Sequence, residues 1–201
     1  MRRIRLDAPR ELPAFHVRPA TRADWRRWLA TFHAECDGVS VVVFKKSAAP
    51  AGAPDAADIA EEALCFGWSG GIIANFDDTS FALRLAPRRR KSLWSAKSKR
   101  IAAAMETAGL MTAAGRAAIA RAQHDGSWTT LDAAESLVVP DDLARAFAKN
   151  KTAAANFGKL TEAQRKYFLY HITTAKRPET RAARVAETVR CNALGKKNRL
   201  G

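Results

Sequence analysis

Strand-like patterns occur only in the first half of this chain, and that division limits the folds open to it. The stretch VSVVVFKK, residues 39–46, is β-branched and apolar, as is typical of a buried strand. The stretch GGIIANFDDTSFALRLAP, residues 70–87, predicts a hairpin that turns at residues 77–79. From residue 92 onward every segment has helical spacing and helical end signals. We therefore expect an α+β fold, in which an N-terminal α/β part with a small, mostly antiparallel sheet is followed by an all-α C-terminal part.

Two helices are predicted among the strands. Thr21 is the expected cap of the first, which Gly38 is expected to end, and Asp55 lies near the start of the second. Apolar residues at helical spacing are expected to face the core: Trp25, Trp28, Leu29 and Phe32 in the first helix, and Ile59, Ala63, Leu64 and Phe66 in the second. The predicted organisation is an extended lead-in over 1–20, an α+β part over 21–91 and a helical part over 92–201.

The positive charge is concentrated in two segments. The 201-residue chain has a formal net charge of +14. Residues 84–100 hold eight basic residues, no acidic one and Trp94, while residues 176–201 hold eight basic and two acidic residues. The remaining residues sum to zero. A charge localised in this way favours acidic partners such as nucleic acid, anionic lipid or a phosphorylated small molecule.

Several protein classes are excluded or disfavoured by composition. No apolar run of eighteen residues and no signal peptide is found, so we expect a cytoplasmic protein without a transmembrane segment. The three cysteines, which form no CxxC pair, argue against a disulfide framework and a zinc site, and the scattered histidines form no metal-spaced pair. We expect no metal and no cofactor. Because no carboxylate pair or nucleophile motif stands out, we assign no catalytic residue and favour a protein that is not an enzyme.

The two basic segments each allow a functional and a structural interpretation. Residues 84–100 suit phosphate recognition, with Trp94 stacking on a base, or they are a solvated link between two folded parts. Arg177, Arg181 and Arg184 share a face of the predicted last helix and form a hypothetical partner-binding surface. The alternative is a solvent-facing helix whose arginine stems cover apolar surface.

A third candidate is the glycine-rich stretch CFGWSGG, residues 65–71. Gly67, Gly70 and Gly71 surround Trp68, which predicts a loop whose backbone turns tightly or approaches a ligand. Successive backbone N–H groups in such a loop could bind an anion. The stretch matches neither the dinucleotide-binding fingerprint nor the nucleophile elbow of hydrolases.

Seven blocks, taken in order, resemble the bacterial YdeI/OmpD-associated family, which is also labelled bacteriocin-protection. The blocks are WRRWLATFH, GVSVVVFKK, EEALCFGW, LRLAPRRRKSLWS, GLMTAAGRAAIARAQHDGSW, VPDDLARAF and AKRPETRAARV. The resemblance runs from about residue 21 to residue 189. It implies a cytoplasmic-type bacterial protein with no established catalytic activity, and it makes the region of about 137–195 the family's helical part.

The resemblance also marks positions for a ligand site. The matched candidates are Lys45, Lys46, Glu62, Trp68, Arg84, Arg88, Ser92 and Trp94. Family members usually carry an aspartate where this chain has Gly70, so any role of the glycine stretch is not carried over. We hypothesise that Lys45, Arg84 and Arg88 converge beside Trp68 in a cationic pocket with an aromatic wall.

The leading functional hypothesis is binding of an anionic small molecule or an acidic protein partner at this basic, aromatic surface. The first alternative is sequence-independent nucleic-acid binding by both basic segments. The second is an uncharacterised enzyme that uses Glu62 as a base beside the cationic pocket. The third is a partner-binding protein in stress protection that docks through the arginines of the last helix.

Overall fold

The computed structural model describes residues 16–198, and for residues 72 and 73 it describes the backbone alone. The predicted lead-in over 1–20 therefore lies mostly outside the described residues. The strands are β1 (His16–Val17), β2 (Val39–Phe44), β3 (Trp68–Asn75) and β4 (Ser80–Pro87). The helices are α1 (Arg22–Phe32), α2 (Ala56–Cys65), α3 (Ala96–Thr107), α4 (Ala113–His124), α5 (Asp132–Glu135), α6 (Asp141–Ala148), α7 (Lys151–Gly158), α8 (Glu162–Thr173) and α9 (Pro178–Ala193). The predicted α+β class is confirmed.

The four described strands form one small sheet in the order β1-β2-β4-β3. β1 runs parallel to β2, while β4 is antiparallel to both β2 and β3. The predicted hairpin is confirmed, because β3 and β4 flank the turn at residues 77–79. The glycine stretch divides between a tight turn at Gly67, whose φ is 75°, and the predicted hairpin, in which Gly70 pairs with Leu85 inside β3 and not in a loop. Tertiary pairing with β4 outweighs the weak local preference of glycine for turns.

Helix α1 begins as predicted and ends earlier than predicted. The Thr21 side chain accepts from the backbone N–H of Asp24, and the Asp24 side chain accepts from the backbone N–H of Thr21, forming a capping box. The helix ends at Phe32, so the prediction that Gly38 ends it is wrong. Gly38 instead precedes β2 with a φ of 147°, and a side chain there would collide with Arg84. A glycine is therefore required at residue 38 by the close approach of β4, and not by the end of a helix.

Helix α2 packs against α1, and the two helices share buried residues of the sheet unit. Asp55 caps α2 by accepting from the backbone N–H groups of residues 57 and 58. Trp25 is fully buried, and its indole N–H donates to the carbonyl of Ile59 over 3.0 Å. Leu29 is buried as predicted, whereas Phe32, at the end of the predicted stripe, is 40% exposed.

The described part of the chain divides into two compact units. Residues 16–92 and 97–128 form the sheet unit, and residues 93–96 and 129–198 form the helical unit. This division differs from the predicted boundary after residue 91, because α3 and α4 join the sheet unit. The Thr112 hydroxyl, which caps α4, donates to the carbonyl of Cys65 at the end of α2 over 2.6 Å. Gly115 of α4 lies against the same residue.

The helical unit has an aromatic core of its own. Phe147, Phe157 and Phe168 are 7%, 5% and 0% exposed, and the ring centroids of the first two lie 5.1 Å apart. Thr161 caps α8 with a capping box, as the sequence predicts. Among the described residues, none of the helices has both the length and the apolar character needed to cross a membrane.

Replacing Gly115 by alanine tests the contact between α4 and α2. A Cβ at this position would collide with the carbonyl of Cys65 and the sulfur of Met111, so we expect Gly115→Ala to lower the free energy of unfolding by about 1–3 kcal/mol. Gly158, the last residue of α7, is the matched control, because a Cβ there meets nothing within 4 Å. Gly158→Ala should raise stability by about 0.5–1 kcal/mol. Urea denaturation measures both, and equal effects would contradict the packing argument.

Candidate functional site

The predicted cationic residues of the sheet unit lie at separate places along β4. The Lys45 ammonium donates to the carbonyls of Asp77 and Asp78, each over 3.0 Å, at the hairpin turn. Arg84 lies opposite Ser40, and Arg88 follows the end of the strand. Eight residues of β4 span about 25 Å at the usual rise of a strand. The hypothesis that Lys45, Arg84 and Arg88 converge is therefore not met by the structure.

The two predicted stacking residues are buried. Trp68 is 2% exposed, its indole N–H donates to the carbonyl of His33 over 3.2 Å, and its ring packs edge-on against Trp28. Trp94 is 1% exposed and belongs to the helical unit. A ring enclosed by protein on this scale cannot wall an open pocket. The hydrophobic effect buried both indoles in the protein interior. Charged neighbours in the sequence do not show which tryptophans are buried in this way.

Glu62 holds α2 to α1. Its side chain is 3% exposed, and its two oxygens accept from Arg22 over 2.7 Å and from Arg26 over 2.6 Å. Arg22 also pairs with Asp58 and Glu61, each over 2.8 Å. These hydrogen bonds raise the pKa of both guanidinium groups against the effect of their partial burial. The pairing gives Glu62 a structural role. The enzyme alternative required Glu62 to act as a base beside a cationic pocket, and the residues proposed for that pocket do not converge.

Two predicted candidates lie near the ends of β2 and β4. Lys46 is exposed, just beyond β2. Ser92 is half-buried, and its backbone N–H donates to the carbonyl of Arg89 over 3.1 Å. Neither contacts Glu62 or Trp68 in a shared site.

The arginines of α9 contact their own unit. Arg181 forms a two-pronged ion pair with Asp142 of α6, with N–O distances of 2.6 and 3.1 Å, and this hydrogen bonding lowers the pKa of that carboxyl. Arg184 donates to the carbonyl of His171 over 2.6 Å and to the hydroxyl of Thr174 over 3.0 Å. Arg177 is exposed at the helix N-cap. The predicted row of three guanidinium groups therefore reduces to one exposed arginine, since the other two tie α9 to α6 and α8.

The basic stretch forms a tight, anchored turn, which we call the basic loop (residues 88–92). Arg89, Arg90 and Lys91 are exposed there. Lys91 has a φ of 59°, a left-handed conformation that side chains other than glycine rarely adopt. Its backbone N–H donates to a carboxylate oxygen of Asp125 over 3.0 Å. Strain of this kind persists only where surrounding contacts hold it, and it often marks a functional position.

Arg88, at the start of the basic loop, has a different environment. Its backbone N–H donates to the carbonyl of Gly67 over 2.9 Å, and its guanidinium reaches the hydroxyl of Ser98 at 3.5 Å. Burial lowers the pKa of Arg88 to about 10, so the side chain stays protonated at neutral pH. Arg88 therefore adds a half-buried positive charge beside the exposed cations of the loop.

Asp125 connects the basic loop to a tryptophan. It is the C-cap of α4, and hydrogen bonds from Ser127, with a smaller contribution from the N–H of Lys91, lower the pKa of its carboxyl. The Trp128 backbone N–H donates to the carbonyl of Ala122 over 3.0 Å, and this ring is half-buried. The Lys99 ammonium of α3 lies 5.1 Å from the centre of the Trp128 ring, within cation–π range.

A groove of about 270 Å³ lies between α3 and α4 beside this tryptophan. Its lining is mostly apolar, with charged residues at the rim, and comprises Lys99, Ala102, Ala103, Glu106, Arg116, Ile119, Ala120, Gln123 and Trp128. Arg116 and Glu106 form an exposed ion pair with an N–O distance of 2.9 Å. We call the basic loop together with this groove the basic groove surface. It combines cations, an indole and an apolar floor, which is what an anionic ligand with a flat part requires.

Three residues of this surface, Asp125, Trp128 and Arg116, were not predicted from the sequence. A tryptophan in the polar stretch GSWTT, two residues after the glycine that follows α4, was the available signal. No local pattern connects residue 128 to the basic stretch, because 28 or more residues separate them. Tertiary contacts bring them together, namely the hydrogen bond from Lys91 to Asp125 and the placement of Lys99 over the Trp128 ring.

The fold and this surface define an α+β protein of two units, with a basic groove in the sheet unit. Comparison with family models gives its relation to known proteins. The chain belongs to the family described as Domain of unknown function (DUF8412), whose model matches residues 17–118. The family described as Bacteriocin-protection, YdeI or OmpD-Associated matches residues 136–195.

The second match confirms the predicted resemblance for the C-terminal part of the chain. The first four blocks, residues 25–95, which were expected to belong to the same family, lie in the region that the first model matches, and the block over 109–128 begins there. No curated protein and no solved structure matches the chain significantly.

Replacing Glu62 by glutamine tests its structural role. The carboxylate is buried and holds two guanidinium groups, so we expect Glu62→Gln to lower the free energy of unfolding by about 2 kcal/mol. Glu61 is the matched control on the same helix, because its side chain is 27% exposed and its ion pair is with Arg22. Glu61→Gln should cost less than about 1 kcal/mol. Chemical denaturation at neutral pH compares the two, and equal losses would contradict the role assigned to Glu62.

Replacing Lys91 by glycine tests the strain in the basic loop. The left-handed conformation costs lysine about 1–2 kcal/mol, while glycine loses about 0.5–1 kcal/mol of chain entropy on folding. We therefore expect Lys91→Gly to raise stability by about 0.5–1 kcal/mol. Lys159, whose φ is −82°, is the control, and Lys159→Gly should lower stability by about 0.5–1 kcal/mol. A loss of stability in both variants would show that the loop is not strained.

Proposed function

We propose that this protein binds an anionic partner at the basic groove surface. The observation that carries the proposal is the anchored, strained conformation of Lys91 at a turn where three consecutive cations are exposed. A disordered basic tail would need no such conformation, because it could present its charges without backbone strain. Strain retained at an exposed cationic turn supports a binding role.

The charge of the segment supports the same proposal. Residues 88–100 contain seven basic residues and no carboxylate, so the local potential stays positive even beside Asp125, whose carboxylate contacts the loop. Elsewhere in the sheet unit, the cations Arg22 and Arg26 are paired with the carboxylates of α2. The exposed side chains of Arg89, Arg90 and Lys91 are therefore the natural contacts for an external anion.

The groove beside Lys99 and Trp128 supplies contacts beyond charge. An anion held by the basic loop can place an apolar or flat part against the indole and the alanine-lined floor. The anionic ligand or acidic partner predicted from the sequence is thus retained as a proposal, with the contact residues changed. Trp128 takes the role that Trp68 and Trp94 were predicted to have.

The two family descriptions do not name a ligand. One is a domain of unknown function, and the other associates its members with bacteriocin protection. A role of this chain in such protection, and its cytoplasmic location, stay predictions. Growth of a deletion strain under bacteriocin challenge, complemented with wild-type protein or with the Arg90→Gln/Lys91→Gln variant, would test the first.

Binding of inorganic polyphosphate tests the proposed function directly. We expect wild-type protein to bind it at low salt, with an affinity that falls steeply as salt is raised. The double variant Arg90→Gln/Lys91→Gln should bind about tenfold more weakly and lose about one unit of salt slope per removed contact. Isothermal titration calorimetry at several salt concentrations measures both quantities.

The matched control removes two exposed lysines from the helical unit. Lys149→Gln/Lys159→Gln reduces the net charge by the same amount and should leave the affinity within about twofold of wild type. Equal losses in both double variants would show that net charge alone drives binding. Absence of polyphosphate binding by wild-type protein at low salt would overturn the proposed function.

A further inference from the structure

We propose that the partner of the basic groove surface is a single-stranded nucleic acid, whose phosphates contact the basic loop while a base enters the groove against Trp128. This inference rests on the proposed function, since it names the class of anion for the same surface. It goes further by assigning the groove to a nucleobase.

The arrangement of the cations favours a partner whose charge is spread along a chain. Arg89, Arg90 and Lys91 are consecutive and exposed, and Lys97 and Arg100 are exposed in the first turns of α3. A compact anion is usually held by a few converging, partly buried donors, whereas exposed cations in a row follow a phosphodiester backbone.

Trp128 differs from the tryptophans of the two cores. Trp25, Trp68 and Trp94 are 0%, 2% and 1% exposed. Trp28 is half-buried but stacks on Trp25, whereas Trp128 is half-buried and lines the groove. Aromatic side chains beside a basic surface act as stacking platforms for unpaired bases. In a duplex the faces of the bases are covered by their neighbours, so a tryptophan that lines a groove suits a single strand.

The groove has the composition that a base requires. Its apolar lining includes the small side chains Ala102, Ala103 and Ala120, which leave room for a flat ring. Gln123, which is exposed, offers hydrogen-bonding groups, whereas Glu106 of α3 is paired with Arg116 of α4. These contacts are tolerant of base identity, which predicts weak sequence preference.

The phosphate and base contacts lie within reach of one nucleotide chain. Lys91 is hydrogen-bonded to Asp125, and Trp128 follows Asp125 by three residues in a segment held by further backbone bonds. Lys99 lies over the Trp128 ring and provides a cation next to the proposed base. The basic loop and the stacking residue therefore belong to one continuous surface of the sheet unit.

The test compares two single strands of equal charge, one of which has no bases. Fluorescence anisotropy measures binding of labelled oligothymidine of about 15 nucleotides, a length that single-strand binding folds cover, and of an abasic strand of the same length. We expect wild-type protein to bind oligothymidine about tenfold more tightly than the abasic strand. Trp128→Ala should remove this difference, and Trp128→Phe should keep much of it. Arg90→Gln/Lys91→Gln should weaken binding of both strands.

The outcomes separate this inference from the proposed function. Equal binding of the two strands by wild type, or a preference for oligothymidine that Trp128→Ala leaves unchanged, would overturn the inference and leave anion binding intact. Failure of wild type to bind either strand at low salt, while polyphosphate binds, would also overturn the inference alone. Failure with all three anions would overturn both. Thermal unfolding monitored by circular dichroism checks that each variant is folded.

Discussion

Helix α4 lies against the end of α2 at a distance that only glycine permits. A side chain at Gly115 would collide with the carbonyl of Cys65, and one at Gly67 would lie 2.9 Å from the carbonyl of Ala114. The hydroxyl of Thr112 donates to Cys65 in the same contact. Because α4 is held in this way, the segment that follows it places Asp125 and Trp128 beside the basic stretch, and α3 and α4 enclose the groove.

Charge pairing elsewhere in the chain explains why the positive excess is exposed at the basic loop. A buried carboxylate needs a partner, and Glu62 takes Arg22 and Arg26 for that purpose. In the helical unit Asp142 takes Arg181. Cations paired in this way stabilise their units and offer little to an external anion. The exposed cations of the basic loop outnumber the carboxylate that contacts them, since the 88–100 segment has no acidic residue and Asp125 accepts from the backbone of Lys91.

Predictions that depended on residues close in sequence were the accurate ones. Thr21, Asp55 and Thr161 cap their helices through side chains that reach backbone N–H groups two or three residues away. Strand β2 and the hairpin were also predicted correctly, because a β-branched run and a turn are patterns of residues that are adjacent in the sequence. The differences arose where a distant segment decided the outcome: Gly38 precedes β2 beside Arg84 and does not end α1, and the sheet unit includes α3 and α4, which the boundary after residue 91 had placed with the later helices.

The candidate site shows the same contrast. The sequence by itself determined the α+β class, the order of the elements and the location of the positive charge, since composition and short-range periodicity are local properties of the chain. Tertiary structure alone decided which indole meets the charge, because burial in the two cores enclosed Trp68 and Trp94 while helix packing brought Trp128 next to Lys99. Tertiary structure also decided which arginines form ion pairs within the protein, since a pair such as Arg181–Asp142 joins side chains 39 positions apart in the sequence.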